Sequence, residues 1–143
     1  MKRLLFVFTL FLLTANLASA QQKAVQQKET QQKEAPQKEA VLAIVGESTY
    51  DFGTIKEADG PVTHTFKVKN EGEAALVITR VTASCGCTTP EYPKEPIAPG
   101  KTGDIKVTYN PSGNAPFTKT ISVFSNGKTG SFVLTIKGVV EGK

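Results

Sequence analysis

The chain contains few of the residues from which metal sites and catalytic sites are usually built. Its 143 residues include only two cysteines, Cys85 and Cys87, and one histidine, His64. A typical zinc site needs four ligands, and these three side chains fall short of that set. The sequence also lacks a Gly-rich phosphate loop, a His-Glu-x-x-His motif and a Gly-x-Ser-x-Gly motif. We therefore predict a protein that is not an enzyme and has no cofactor.

Charge of one sign is not concentrated anywhere in the chain. Of the formal net charge of +4, Lys2 and Arg3 contribute +2, residues 21–40 contribute +1, and residues 41–143 contribute +1. The lysines of residues 41–143 are interspersed with Glu and Asp and form no basic patch. Nucleic acid is therefore excluded as an expected partner, because its recognition depends on a strongly positive surface.

Long apolar runs are absent after the first twenty residues, MKRLLFVFTLFLLTANLASA. In that segment two basic residues precede an apolar run from Leu4 to Leu13, and Ala18-Ser19-Ala20 matches the small-x-small pattern of a cleavage site. The segment is typical of a secretory signal peptide and is too short for a spanning helix. We expect residues 1–20 to be removed, which leaves a secreted, periplasmic or envelope protein without a transmembrane segment.

Residues 21–40 repeat a five-residue unit four times, as QQKAV, QQKET, QQKEA and PQKEA. A period of five does not place apolar residues on one face of a helix, and the segment has almost nothing apolar to bury. The composition predicts a disordered spacer. It would act either as a tether for the following domain or as a solubilising tail.

Residues 41–143 have the pattern of an all-β domain. Turn signals separate short runs rich in β-branched and aromatic residues, and no segment shows a helical period. The spacing of the turns predicts a sandwich or a barrel. Alternating apolar positions define one buried face in three runs, namely Val62, His64, Phe66 and Val68; Ile105, Val107 and Tyr109; and Phe132, Leu134 and Ile136.

Two more strands and one hairpin are predicted from local patterns. The hairpin signal is Asn126-Gly127 between strands 117–125 and 130–140, because both central positions of such a two-residue turn need positive φ. The two strands are a first strand that packs on the core and a strand that leads into the cysteines. Their apolar residues are Tyr50, Phe52 and Ile55, and Leu76, Ile78 and Val81, respectively.

Four short motifs together resemble the secreted bacterial family known as Domain of Unknown Function 1573. They are Tyr50-Asp51-Phe52-Gly53, Asn70-Glu71-Gly72, the Ser-Cys-Gly-Cys-Thr run from Ser84 to Thr88, and Ile97-Ala98-Pro99-Gly100. The resemblance covers about residues 46–140. It implies an immunoglobulin-like β-sandwich of about seven strands in the cell envelope, and it implies no established activity.

Cys85 and Cys87 leave three interpretations open. An oxidising compartment favours a disulfide, although residues two apart in an extended strand are about 6.5–7 Å apart at Cα, so Gly86 would have to kink the chain. Two thiolates would also suit a soft metal ion such as Cu(I). Alternatively, both cysteines are small packing residues. His64, the only possible third ligand or base, is interpreted as a core or strand-end histidine.

Tyr92 lies in a stiff segment that contains Pro90, Pro93 and Pro96. This segment is either a recognition edge or a plain connection between sheets. The candidate binding residues are thus Cys85, Cys87 and Tyr92. We expect a binding or scaffolding module for a protein or envelope component, and the alternative is a redox or Cu(I)-handling protein that uses Cys85 and Cys87.

Overall fold

The computed structural model describes residues 38–142, which form two packed β-sheets. Within these residues no helix is long and apolar enough to cross a membrane. A short 3-10 helix, Glu57–Asp59, follows the second strand. The strands are β1 (Leu42–Val45), β2 (Thr49–Lys56), β3 (Val62–Asn70), β4 (Ile78–Ala83), β5 (Thr88–Glu91), β6 (Thr102–Tyr109), β7 (Pro116–Ser125) and β8 (Ser131–Glu141).

Each sheet has four strands. The first sheet has the order β1-β3-β6-β5, and the second has the order β2-β8-β7-β4. Neighbouring strands are antiparallel except β2 and β8, which are parallel. The chain therefore passes between the sheets five times, from β1 to β2, β2 to β3, β3 to β4, β4 to β5 and β6 to β7. This arrangement confirms the predicted all-β sandwich.

The core lies between the two sheets and is built from the predicted alternating residues. Phe66 and Val68 of β3, Val107 of β6, and Leu134 and Ile136 of β8 are all almost fully buried. Lysines and threonines occupy the outward positions next to them, such as Lys67 in β3 and Thr135 in β8. Because side chains alternate with a period of two, the apolar pattern specifies the register of these strands, and the three predicted faces are confirmed.

Two of the eight strands, β1 and β5, were not located from the sequence, and the total agrees with the predicted number of about seven. β1 lies immediately after the predicted spacer, and it makes the strand of Tyr50, Phe52 and Ile55 the second one. β5 contains Pro90, which argues against a central strand. Pro90 is tolerated here because β5 is the edge of the first sheet and pairs only with β6.

The predicted hairpin joins β7 to β8, but its turn differs from the prediction. Among the described residues only glycines have positive φ, and in this loop that glycine is Gly130, at +71°. Ser125 N donates to Gly130 O at 2.8 Å, so the connection is longer than two residues. Asn126 contributes through its side chain instead, because its amide oxygen accepts a hydrogen bond from Val77 N at 2.7 Å.

The packed domain begins earlier than the predicted boundary at residue 41. Ala40 is 4% exposed and belongs to the core. The carbonyl oxygen of Glu39 accepts hydrogen bonds from Glu73 N and Ala74 N, at 2.9 and 3.2 Å. The last residues of the predicted spacer are therefore part of the fold. The predicted signal peptide and residues 21–37 lie outside the described residues.

Asn70 is fully buried at the end of β3 and connects three parts of the chain. Its side-chain oxygen accepts from Val41 N at 3.4 Å and from Gly72 N at 3.0 Å. Its amide nitrogen donates to Ala74 O at 2.7 Å and to Ile97 O at 2.8 Å. The side chain thus uses its whole hydrogen-bonding capacity, which a buried amide requires.

We expect Asn70→Ala to lower the free energy of unfolding by more than about 2 kcal/mol, because several buried backbone groups would lose their partner. Asn70→Asp should be at least as damaging near neutral pH, since its carboxylate would face the carbonyl oxygens of Ala74 and Ile97. Urea unfolding of both variants measures this. A loss below about 0.5 kcal/mol in both, the range of ordinary surface changes, would contradict the assignment.

The buried and the exposed faces of the sheets can be compared with one type of substitution, valine to threonine. Val107 is 0% exposed and Val133 is 50% exposed. We expect Val107→Thr to lower the free energy of unfolding by about 1–3 kcal/mol, because it buries a hydroxyl group without a hydrogen-bond partner. Val133→Thr should change stability by no more than about 0.5 kcal/mol. Equal effects in urea unfolding would show that the assigned faces are wrong.

Candidate functional site

The two cysteines lie at the corner where the chain passes from β4 of the second sheet to β5 of the first. Cys85 and Cys87 form a disulfide, and their Cα atoms are 5.3 Å apart. This is less than the distance expected for an extended strand, because residues 84–87 form a turn in which Thr88 N donates to Cys85 O at 3.3 Å. The expected special conformation of Gly86 is not found, since Gly86 does not have positive φ.

Hydrogen bonds hold this corner to both sheets independently of the disulfide. Ser84 N donates to Thr120 O at 2.9 Å, and Thr120 N donates to Ser84 Oγ at 3.2 Å, which attaches the corner to β7. On the other side, Asn110 N donates to Cys87 O at 2.8 Å. The positions of the two cysteines are thus determined by the backbone on either side of them.

Thr88 places a buried hydroxyl group beside both sulfur atoms. Its side chain is 4% exposed, and its Oγ1 lies 3.5 Å from Cys85 Sγ and 3.9 Å from Cys87 Sγ. A disulfide carries no S–H group, so the threonine hydroxyl must be the donor in these contacts. Both cysteines are half-buried, and Cys87 also packs against the core.

The structure bears on the metal alternative at Cys85 and Cys87. Because the two sulfur atoms are bonded to each other, neither is a thiolate that could bind Cu(I) in this state. Residues 38–142 contain no group of three or more His, Cys, Asp and Glu side chains that could hold a metal ion. His64 instead lies in β3, separated from β5 by β6, and stacks on Tyr50.

Tyr92 is not brought together with the cysteines. It follows the last residue of β5, whereas the cysteines precede the first, so the strand separates them. The ring of Tyr92 packs partly against the core, and Lys94 Nζ lies 3.4 Å from the ring centroid. This contact is a cation–π interaction. Binding at Cys85, Cys87 and Tyr92 stays a prediction, and if correct it involves two separate places.

A second candidate site lies beside β1 and β2, where the chain passes between the sheets for the first time. It is a cleft of about 270 Å³, which we call the β3 cleft. Its lining residues are Val45, Glu47, Thr49, Tyr50, His64, Thr65, Phe66 and Lys67.

The β3 cleft exists because β1 covers only half of β3. β1 pairs with Lys67–Asn70, and after Val45 the chain leaves for the second sheet. On that side residues 62–66 have no strand neighbour among the described residues. Tyr50 of the second sheet and His64 of the first partly fill the opening, with ring centroids 3.6 Å apart in a stacked arrangement.

The surface of the β3 cleft combines exposed apolar groups with an unpaired carboxylate. Val45 is 48% exposed and Tyr50 is 37% exposed. Lys67 Nζ lies 3.7 Å from Asp104 Oδ1, so its charge has a partner. Glu47 makes no ion pair or side-chain hydrogen bond with any of residues 38–142. The cleft therefore presents an apolar wall beside a negative group.

Sequence reasoning missed the β3 cleft and Thr88. Tyr50 was predicted to pack on the core, and the structure places it at the edge of the core with more than a third of its surface exposed. The alternation of β3 correctly placed His64 on the inner face. A histidine among the apolar residues of β3 was a sign that this end of the inner face is only half-buried. The uncovered edge beside it could not be predicted in the same way, because it depends on where β1 ends.

A family model described as "Protein of unknown function (DUF1573)" matches residues 43–140. The chain belongs to this family. The predicted resemblance is thereby confirmed, and the match covers nearly all of the described residues. No curated protein sequence matches the chain.

Three solved structures show the fold class. A protein of unknown function from Porphyromonas gingivalis W83 has a TM-score of 0.61 at 19% identity, over 70% of this chain and 46% of that chain. The human CEP192 ASH/PapD-like domain has a TM-score of 0.60 at 8% identity, over 73% and 88%. The secreted serine protease VesC from Vibrio cholerae has a TM-score of 0.53 at 16% identity, over 70% and 23%.

At identities of 8–19%, the similarity to these structures shows a common fold and nothing about function. The chain spans less than half of the Porphyromonas gingivalis protein and about a quarter of VesC. The DUF1573 chain is thus an immunoglobulin-like β-sandwich, as predicted, and its fold is shared by the PapD-like domain of CEP192.

The stacked histidine predicts how stability depends on pH. Desolvation by burial lowers the pKa of His64 below its ordinary value of 6.5. Between the lowered pKa and 6.5 the unfolded chain binds more protons than the folded one, so the free energy of unfolding falls as the pH drops below 6.5. We expect urea unfolding to show this loss, and His64→Gln to make it smaller. An identical pH dependence in the variant would contradict the assignment.

Proposed function

We propose that the protein is a non-catalytic binding module of the cell envelope, which holds an extended segment of a partner protein in the β3 cleft. The observation that carries the proposal is the uncovered half of β3. The family and the immunoglobulin-like fold agree with a binding role. The signal-like residues 1–20 support an envelope location.

The backbone of the uncovered half is suited to adding a strand. β1 pairs antiparallel with Lys67–Asn70, and residues 62–66 continue the same edge with no strand of residues 38–142 on that side. An unpaired edge presents backbone N–H and C=O groups that an extended peptide can use. The partner segment would continue the line of β1, and the hydrogen bonds would position it without depending on its sequence.

The side chains of the β3 cleft indicate what the partner segment carries. Alternate residues of an added strand would face the cleft, where Val45 and Tyr50 offer apolar surface. The Glu47 carboxylate has no partner within residues 38–142, and the Tyr50 ring, which lines the same cleft, also favours a cation. We therefore infer a segment with an apolar residue and, nearby, a Lys or Arg side chain.

The protease named among the similar structures does not change this proposal. VesC is a much longer chain of which only 23% is covered, and the activity in its name is not extended to this protein. In the β3 cleft the imidazole of His64 is stacked face to face on Tyr50. The cleft is accordingly assigned a binding role and no catalytic one.

The test uses the full mature chain and a displayed library of random eight-residue peptides. We expect selected peptides to alternate apolar and polar residues and to contain Lys or Arg. Their binding is measured by fluorescence anisotropy, and we expect it at micromolar concentrations of the protein. Val45→Lys should weaken binding at least about tenfold, because it adds a like charge to a basic peptide beside the cleft. Glu47→Gln should weaken it less.

The matched control is Val139→Lys, since Val139 is a similarly exposed valine, at 41%, on β8. It should leave binding unchanged. Amide signals of residues 62–67 should shift on peptide addition in the wild-type protein. Selected peptides that bind equally to the Val45→Lys and Val139→Lys variants, or that leave those amide signals unchanged, would overturn the proposal.

A further inference from the structure

We propose that the Cys85–Cys87 disulfide is a redox-active group that exchanges with the dithiol of a partner protein, and that the Thr88 hydroxyl stabilises the departing sulfur. This is a separate activity at the opposite side of the sandwich from the β3 cleft. It does not rest on the proposed binding function. It also favours the thiol-redox alternative for Cys85 and Cys87 over Cu(I) binding.

The disulfide adds little to the stability of the fold. The bond links residues only two apart in sequence. In the chain-entropy model, closing so short a ring gains about half of what a 15-residue loop gains. Ser84 and the Cys87 carbonyl already hold the corner to neighbouring strands. Structural support is therefore a poor explanation for the bond.

The two sulfur atoms lie in partly exposed side chains beside one buried hydroxyl group. Both cysteines are half-buried, so part of each side chain is accessible from solvent. Thr88 is one of two buried polar residues among residues 38–142, and the other, Asn70, has four backbone partners. Within the same residues, the hydrogen-bond contacts of the Thr88 hydroxyl are those with the two sulfur atoms. This buried hydroxyl is thus directed at the disulfide.

This arrangement supports thiol–disulfide exchange. A thiolate of the partner dithiol attacks one sulfur, which forms a mixed disulfide and breaks the Cys85–Cys87 bond. The other sulfur leaves as a thiolate, and the hydroxyl can donate to it because Oγ1 is within 4 Å of both atoms. The second partner thiol then resolves the mixed disulfide. The partner dithiol is oxidised to a disulfide, and Cys85 and Cys87 receive two electrons and two protons.

Anchoring of the corner predicts that reduction does not unfold the protein. The reduced side chains would remain at a turn fastened to β7 and β6, ready to form the bond again. This distinguishes an exchange site from a structural disulfide, whose reduction is expected to loosen the domain around it.

The experiment measures reduction of the oxidised full mature chain by dithiothreitol, which serves as the dithiol probe. Aliquots are quenched with an alkylating agent and weighed by mass spectrometry, while circular dichroism follows the fold. We expect complete reduction at millimolar probe with an unchanged β-sheet spectrum. Thr88→Val should slow the reduction by about fivefold or more, the effect of losing one hydrogen bond to a developing charge.

Two variants control for effects on packing. Thr88→Ser keeps the hydroxyl and should be reduced at close to the wild-type rate. Thr89→Val makes the same change at the exposed neighbouring threonine and should have no effect. A Thr88→Val rate equal to the wild-type rate would overturn the role of the hydroxyl. A disulfide that is reduced only when the protein unfolds would overturn the exchange site itself.

Discussion

The sandwich depends on the buried side chain of Asn70 more than on any other polar interaction. At one point this amide binds the chain entering β1, the turn after β3 and the segment that leads to β6. The adjacent Gly72 is required for the same reason, because an added Cβ would overlap the carbonyl of Glu39. One buried amide and one glycine thus hold these three segments together.

Both candidate sites arise where the chain changes sheets. After β1 it leaves the first sheet through Gly46, at φ +96°, and the uncovered half of β3 forms the β3 cleft. After β4 it enters the first sheet through the turn at Cys85 and Cys87. Both of these crossovers join edge strands of the two sheets, where backbone groups and side chains are least completely covered. The sites thus occur at opposite edges of the sandwich.

Much of the fold was predictable because its determinants are local. The alternation in β3, β6 and β8 specifies which residues are buried, since a slip of one residue would expose the whole apolar set. The strand before the cysteines and the hairpin at Asn126 were likewise recognised from short patterns. β5 was missed because its Pro90 is acceptable only at an edge, and the position of a strand within a sheet is not a local property.

The sequence by itself determined the all-β class, the family, the inner faces of the long strands and the spacing of the two cysteines. Only the tertiary structure decided that Ala40 belongs to the core, that Tyr92 and the cysteines lie apart, and that His64 meets Tyr50 across the two sheets. The physical reason is that alternation acts between neighbouring residues, whereas strand order is decided by contacts between residues far apart in sequence. The length of β1, and with it the opening beside β3, depends on where the chain turns toward the second sheet.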